Sequence, residues 1–159
     1  MKLVTVSIGG LEVSAERDAT IITHGLGSCI AVLTYDPIAK VAGMLHFQLP
    51  TSTLSPERAR ETPGTFADTG IPLLFEKMYA LGSRKADIIV KAAGGGNFHN
   101  DNGTFDIGRR NHAAIRKVLW KLGLLLESEH IGGTAPRTIF LRVADGSFKI
   151  KSNGEEIAA

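Results

Sequence analysis

Apolar and small polar residues alternate through Val4-Thr5-Val6-Ser7-Ile8, and a period of two predicts a strand over residues 3–8. The run Thr20-Ile21-Ile22-Thr23 is β-branched throughout and predicts a second, short strand. His24-Gly25-Leu26-Gly27-Ser28-Cys29 follows, with two glycines that mark a turn. Residues 30–35 and 41–49 predict two strands joined at Asp36-Pro37-Ile38-Ala39, because Asp-Pro favours the start of a hairpin turn. Residues 50–64 are polar, contain Pro50, Pro56 and Pro63, and read as an exposed loop.

The period then becomes helical. Ile71, Leu74, Phe75, Met78 and Tyr79 share one helical face, Gly82 stops the helix, and Pro72 is expected in its first turn. Residues 86–93 predict a buried strand that leads into Gly94-Gly95-Gly96-Asn97. A second helix is expected after Asn111, with Ile115, Val118, Leu119 and Leu122 inward, Trp120 partly buried and Gly123 as its stop. Residues 124–130 and 137–143 predict strands, and Asp145-Gly146 turns the chain into a last strand over 148–151. Residues 154–159 are expected to fray. Many strands with two substantial helices imply an α+β fold built on a mixed, largely antiparallel sheet. No internal linker divides the chain, so residues 1–159 are expected to form a single domain.

Composition narrows the class of function. A chain of 159 residues can bury roughly 70% of its unfolded surface, enough for a core without disulfide or metal. Its net charge of +2 comes from 18 basic and 16 acidic residues. The densest basic group, Arg109, Arg110, Arg116, Lys117 and Lys121, alternates with apolar helix positions and reads as a solvated face, so no nucleic-acid partner is expected. No stretch approaches the ~18 apolar residues of a membrane span, and the N-terminus lacks the apolar region of a signal peptide. No membrane insertion is expected. One cysteine excludes an internal disulfide and suits a reducing, cytoplasmic location.

That cysteine carries the candidate chemistry. A lone cysteine is most often a small buried hydrophobe. Cys29, however, follows Gly25-Leu26-Gly27-Ser28, where glycines let the backbone turn sharply and present N–H groups to one point, as an oxyanion requires. The hairpin adds a second reason. With Asp36 to Ala39 as its loop, facing positions sum to 75, which pairs Cys29 with His46 and puts an imidazole within reach of the sulfur. A thiol–imidazole pair needs a third group to orient the ring, and Thr23, Thr20, Ser28 and Thr34 serve equally well on this reading. Zinc on His24, Cys29 and His46 is disfavoured for want of a fourth ligand. Gly94-Gly95-Gly96-Asn97 lacks the Lys-Ser/Thr ending of a phosphate loop. His24, His99 and His112 read as surface residues.

The blocks Thr23-His24-Gly25-Leu26-Gly27-Ser28-Cys29, Tyr35-Asp36-Pro37, Gly43-Met44-Leu45-His46 and Leu49-Pro50 resemble the CheD family of chemoreceptor glutamine deamidases. The resemblance continues through Ala67-Asp68-Thr69-Gly70-Ile71-Pro72-Leu73-Leu74, Gly94-Gly95-Gly96-Asn97, Ile107-Gly108-Arg109-Arg110-Asn111 and Ile131-Gly132-Gly133, and so spans nearly the whole chain. It implies a sandwich of mixed β-sheets flanked by helices, similar to bacterial toxin deamidases. It implies Thr23, Cys29 and His46 as a catalytic set, for which the expected mechanism is a thiolate–imidazolium pair with oxyanion support from the backbone at Gly27 and Ser28. The implied reaction converts receptor glutamines to glutamate with release of ammonia and needs no cofactor. The implied partners are chemotaxis receptors and the CheC phosphatase. A chemotaxis adaptor that binds the same partners with little catalysis is the alternative.

Overall fold

The computed structural model describes residues 1–97 and 106–157, so His99 and the last two residues lie outside the described chain. Among the described residues, ten strands form two five-stranded sheets. The first sheet runs β1 (Lys2–Thr5), β3 (Ala19–Leu26), β8 (Arg137–Arg142), β9 (Phe148–Ser152), β10 (Glu155–Ile157). The second runs β2 (Leu11–Ser14), β5 (Val41–Phe47), β4 (Ile30–Asp36), β6 (Ile89–Gly94), β7 (Leu126–Ile131). Pairing is parallel for β1–β3 and β6–β7 and antiparallel elsewhere. Three α-helices complete the described chain: α1 (Pro56–Glu61), α2 (Ala67–Ala80) and α3 (Ile107–Lys121). None is long and apolar enough to cross a membrane.

The expected α+β sandwich of mixed, largely antiparallel sheets is what forms, with α2 and α3 on the outer side of the second sheet. Burial of β4 on both faces explains the continuous apolar run from Ile30 to Leu33. Ala31, Leu33 and Tyr35 pack between the sheets with Ile21, Met44, Ile139 and Ile150. Ile30 and Val32 face the helices, against Ile71, Leu74, Ile115 and Leu119.

Several sequence expectations need correction. The β4–β5 hairpin pairs Ala31 with His46 and Asp36 with Val41, so facing positions sum to 77 and the loop is Pro37 to Lys40. Asp36 sets this register. Its carboxylate accepts from the N–H groups of Ile38 and Ala39, each at 2.9 Å, and its carbonyl accepts from Lys40, whose φ of 59° closes the turn. His24, Gly25 and Leu26 belong to β3 rather than to a turn, across a bulge between Thr23 and Leu26. The loop over residues 50–64 contains α1, and α2 starts early enough to place Pro72 inside it. Small residues hide that start, because Ala67 and Gly70 are buried where larger apolar residues would advertise a helix. The same holds for α3, whose inward stripe is Gly108, Asn111, Ile115 and Leu119, so Asn111 lies within the helix rather than before it. Trp120 is exposed at 78%. The tail is paired as far as Ile157, because Asn153 and Gly154, both at positive φ, turn β9 back into β10.

Candidate active site

Thr23 and His46 come from different sheets and meet across the sandwich. Thr23 lies on β3 and His46 on β5, and neither has exposed surface. Thr23 Oγ1 stands 2.7 Å from His46 Nδ1 and donates its only proton to the Val6 carbonyl, also at 2.7 Å. With that proton committed, the hydroxyl accepts from the imidazole, so Nδ1 carries the hydrogen and Nε2 keeps its lone pair. Nε2 is buried and has no hydrogen-bond partner among the described residues. A buried basic nitrogen left without a partner costs about 1–3 kcal/mol, so its presence calls for a reason beyond stability. The His46 backbone is held as well: its carbonyl accepts from Gly9 at 2.8 Å and its N–H donates to Gly10 at 3.1 Å.

Cys29 directly precedes β4, two residues before Ala31, the position that faces His46. The corrected register is shifted by two residues, so the face is preserved. Cys29 packs between the sheets with Ala31 and Leu33 and is the diagonal rather than the direct neighbour of His46. Diagonal neighbours lie roughly 7–8 Å apart at the backbone, a gap that both side chains can narrow. Of the other hydroxyls considered, Thr34 is buried without a hydrogen-bond partner among the described residues, beside Gly43, Leu74 and Met78 on the helix side. Thr20 donates to the Met1 sulfur. His24 is exposed. Among the described residues, no group of three His, Cys, Asp or Glu side chains is placed to hold a metal ion.

Burial raises the Cys29 thiol to about 11, an effect only partly offset by its own backbone N–H. Burial also pushes the His46 imidazole down to about 4. Both shifts favour a neutral thiol and a neutral imidazole at rest, because each charged form loses hydration between the sheets. This has a consequence for stability. The folded-state value of His46 lies below its ordinary 6.5, so the unfolded chain binds the extra proton in the window between. The contribution, up to about 3 kcal/mol, is full above pH ~6.5 and is lost as pH falls towards ~4. Urea midpoints at pH 7 and pH ~4.5 are expected to drop further for the wild type than for His46→Asn. Equal drops would show that His46 is not the group responsible.

Glycines and one side chain pin the segment before β4 from outside. The Gly27 carbonyl accepts from Gly96 N–H at 2.9 Å, the Ser28 carbonyl from Asn111 Nδ2 at 3.0 Å, and the Cys29 carbonyl from Gly95 N–H at 2.8 Å. Gly94 has φ of 116°, and a Cβ there would lie 2.2 Å from the Cys29 carbonyl oxygen. Gly94→Ala is therefore expected to destabilise the fold by about 2–3 kcal/mol and to displace Cys29, read as a lower urea midpoint together with lost activity. Buried Arg137 secures the same loop by donating to the carbonyls of Gly94 and Gly132. Sequence reasoning missed both Asn111 and Arg137. A polar residue on the apolar stripe of α3 was the available signal for the first; none marked the second.

The family model for CheD chemotactic sensory transduction matches residues 48–152. This chain belongs to the CheD family. The probable chemoreceptor glutamine deamidase CheD 2 of Anaeromyxobacter dehalogenans is 54% identical over 99% of each chain. The probable chemoreceptor glutamine deamidase CheD of Solibacter usitatus is 42% identical over 98% of this chain and 92% of its own. CheD 1 of Syntrophus aciditrophicus, with the same description, is 46% identical over 95% and 94%. The family match begins two residues after His46, whereas these three alignments cover nearly the whole chain.

Proposed function

We propose that this CheD-family chain hydrolyses glutamine side chains of chemotaxis receptors to glutamate and ammonia, with Cys29 as nucleophile, His46 as base and Thr23 as the group that orients the ring. The observation that carries the reading is the Thr23–His46 hydrogen bond, which leaves a bare Nε2 on the face shared with the only cysteine. The sulfur attacks the carboxamide carbon as its proton passes to Nε2, so charge develops with bond formation rather than before it. The oxyanion is held by backbone N–H groups of the segment through Gly27 and Ser28. Imidazolium then gives its proton to the departing ammonia and leaves a thioester. Water adds to the thioester with His46 as base, which releases glutamate and restores the thiol. The cycle needs no metal or organic cofactor.

Receptor tails and the deamidase meet in the cytoplasm on this reading, and a CheC-type phosphatase is a second protein partner, a role supported by family resemblance. An adaptor without catalysis has no use for the Thr23–His46 pair, which favours the enzyme. Incubation with a purified receptor cytoplasmic fragment is expected to release ammonia and to convert specific glutamines to glutamate, read by peptide mass mapping. A folded protein that converts no receptor glutamine would overturn the proposal.

A further inference from the structure

We propose that Asn111 is a positioning residue for the oxyanion: its carboxamide fixes the Ser28–Cys29 peptide plane so that the Cys29 N–H faces the oxygen of the reacting carboxamide. The proposal rests on Cys29 being the nucleophile. Asn111 has no exposed surface and donates both amide hydrogens to carbonyls, 3.0 Å to Ser28 and 2.9 Å to Gln48. Both partners only accept, which settles the orientation of the amide.

The placement of those two carbonyls matters. The β4–β5 ladder ends at Ile30 and Phe47, so Ser28 and Gln48 lie just beyond the last paired residues. There the strands part, and Gln48 N–H turns away to Thr65 at 2.8 Å. The Asn111 amide bridges the gap and couples the chain before the nucleophile to the chain after the base. A trans peptide unit points its carbonyl and its N–H in opposite directions. Fixing the Ser28 oxygen on the α3 side therefore aims the Cys29 N–H away from α3, and that N–H does lie against the Cys29 sulfur. A donor bonded to the carbonyl also polarises the N–H of the same unit, strengthening it as a donor.

The fold brings Asn111 to this point by close contact. A Cβ on Gly108 would lie 2.3 Å from the Gly96 oxygen and 2.6 Å from the Gly95 oxygen, so α3 sits directly on the two residues that hold Gly27 and Cys29. Asn111 Oδ1 is buried with no partner among the described residues. An apolar residue on this stripe would avoid that cost, so the residue is explained by its two donors.

The test compares Asn111→Leu and Asn111→Asp with the wild type in the full chain. Each variant is expected to lose about 100-fold in kcat with KM within about twofold. Alkylation of Cys29 by iodoacetamide forms no oxyanion, so its rate is expected to fall far less than kcat, only by what the N–H beside the sulfur contributes to thiol reactivity. Unchanged kcat, or a parallel fall in kcat and alkylation, would overturn the proposal. If the variants do not fold, 15N-labelled wild type is treated with a receptor peptide whose target glutamine is replaced by the corresponding aldehyde. The thiohemiacetal should move the Cys29 amide resonance downfield relative to iodoacetamide-treated protein; no movement would overturn the assignment. Activity retained by Cys29→Ser would sink the underlying reading. An inactive Cys29→Ser beside fully active Asn111 variants would sink this inference alone.

Discussion

Cys29→Ser is expected to lower kcat/KM for receptor deamidation at least about 10⁴-fold while the protein stays folded. Serine is nearly the size of cysteine, but its hydroxyl is far harder to deprotonate than the thiol. His46 is too weak a base to compensate, because burial has pushed it down to about 4. The neutral resting pair makes the nucleophile's intrinsic reactivity decisive: sulfur attacks while it is losing its proton, and oxygen with this partner does not. Cys29→Ala should be equally inactive and should unfold within a few degrees of the wild type, since the sulfur contributes mainly as a small apolar group between the sheets. A folded Cys29→Ser protein with more than about a tenth of wild-type activity would contradict the mechanism.

His46→Ala is expected to cost about 10³–10⁴-fold in kcat, because the attacking sulfur loses its proton acceptor and ammonia loses its donor. The structural effect is more limited. Thr23 continues to donate to the Val6 carbonyl, so the substitution leaves that hydroxyl satisfied. It removes a buried nitrogen without a partner and leaves a cavity, two effects of opposite sign. His46→Gln fills more of the space and should be as inactive, which separates chemistry from packing. The double variant Cys29→Ser/His46→Ala should be no slower than the worse single variant, since the two groups act as a unit. Additive losses would show that they act in separate steps or separate sites.

The strands β4 and β5 and the turn between them were legible because local rules govern both. The two-residue slip in register was harder to see. It depends on Lys40 adopting a left-handed conformation that lets Asp36 pair, and on the side-chain bonds from Asp36 into the turn. Because the slip is even, Cys29 kept its face and the link to His46 survived. Thr23 was one of four equivalent hydroxyls on the residues alone. What distinguishes it is its height opposite His46 across the sandwich, and that depends on how two sheets pack rather than on any local pattern. Asn111 was misread as a boundary because its helix presents glycine and asparagine, not large apolar residues, to the core. The protonation of the pair was also out of reach, since burial on both sides sets it. The fraying expected of residues 154–159 overlooked Asn153-Gly154, a hairpin signal that turns β9 back into β10.

The most direct test of the central claim is residue-level labelling. A receptor peptide carrying the diazoketone analogue of glutamine at a deamidated position presents an electrophile where the carboxamide carbon would sit. Peptide mapping after incubation is expected to find one adduct, on Cys29, formed far more slowly in His46→Ala. An adduct on any other residue, or full inactivation with Cys29 unmodified, would contradict the account.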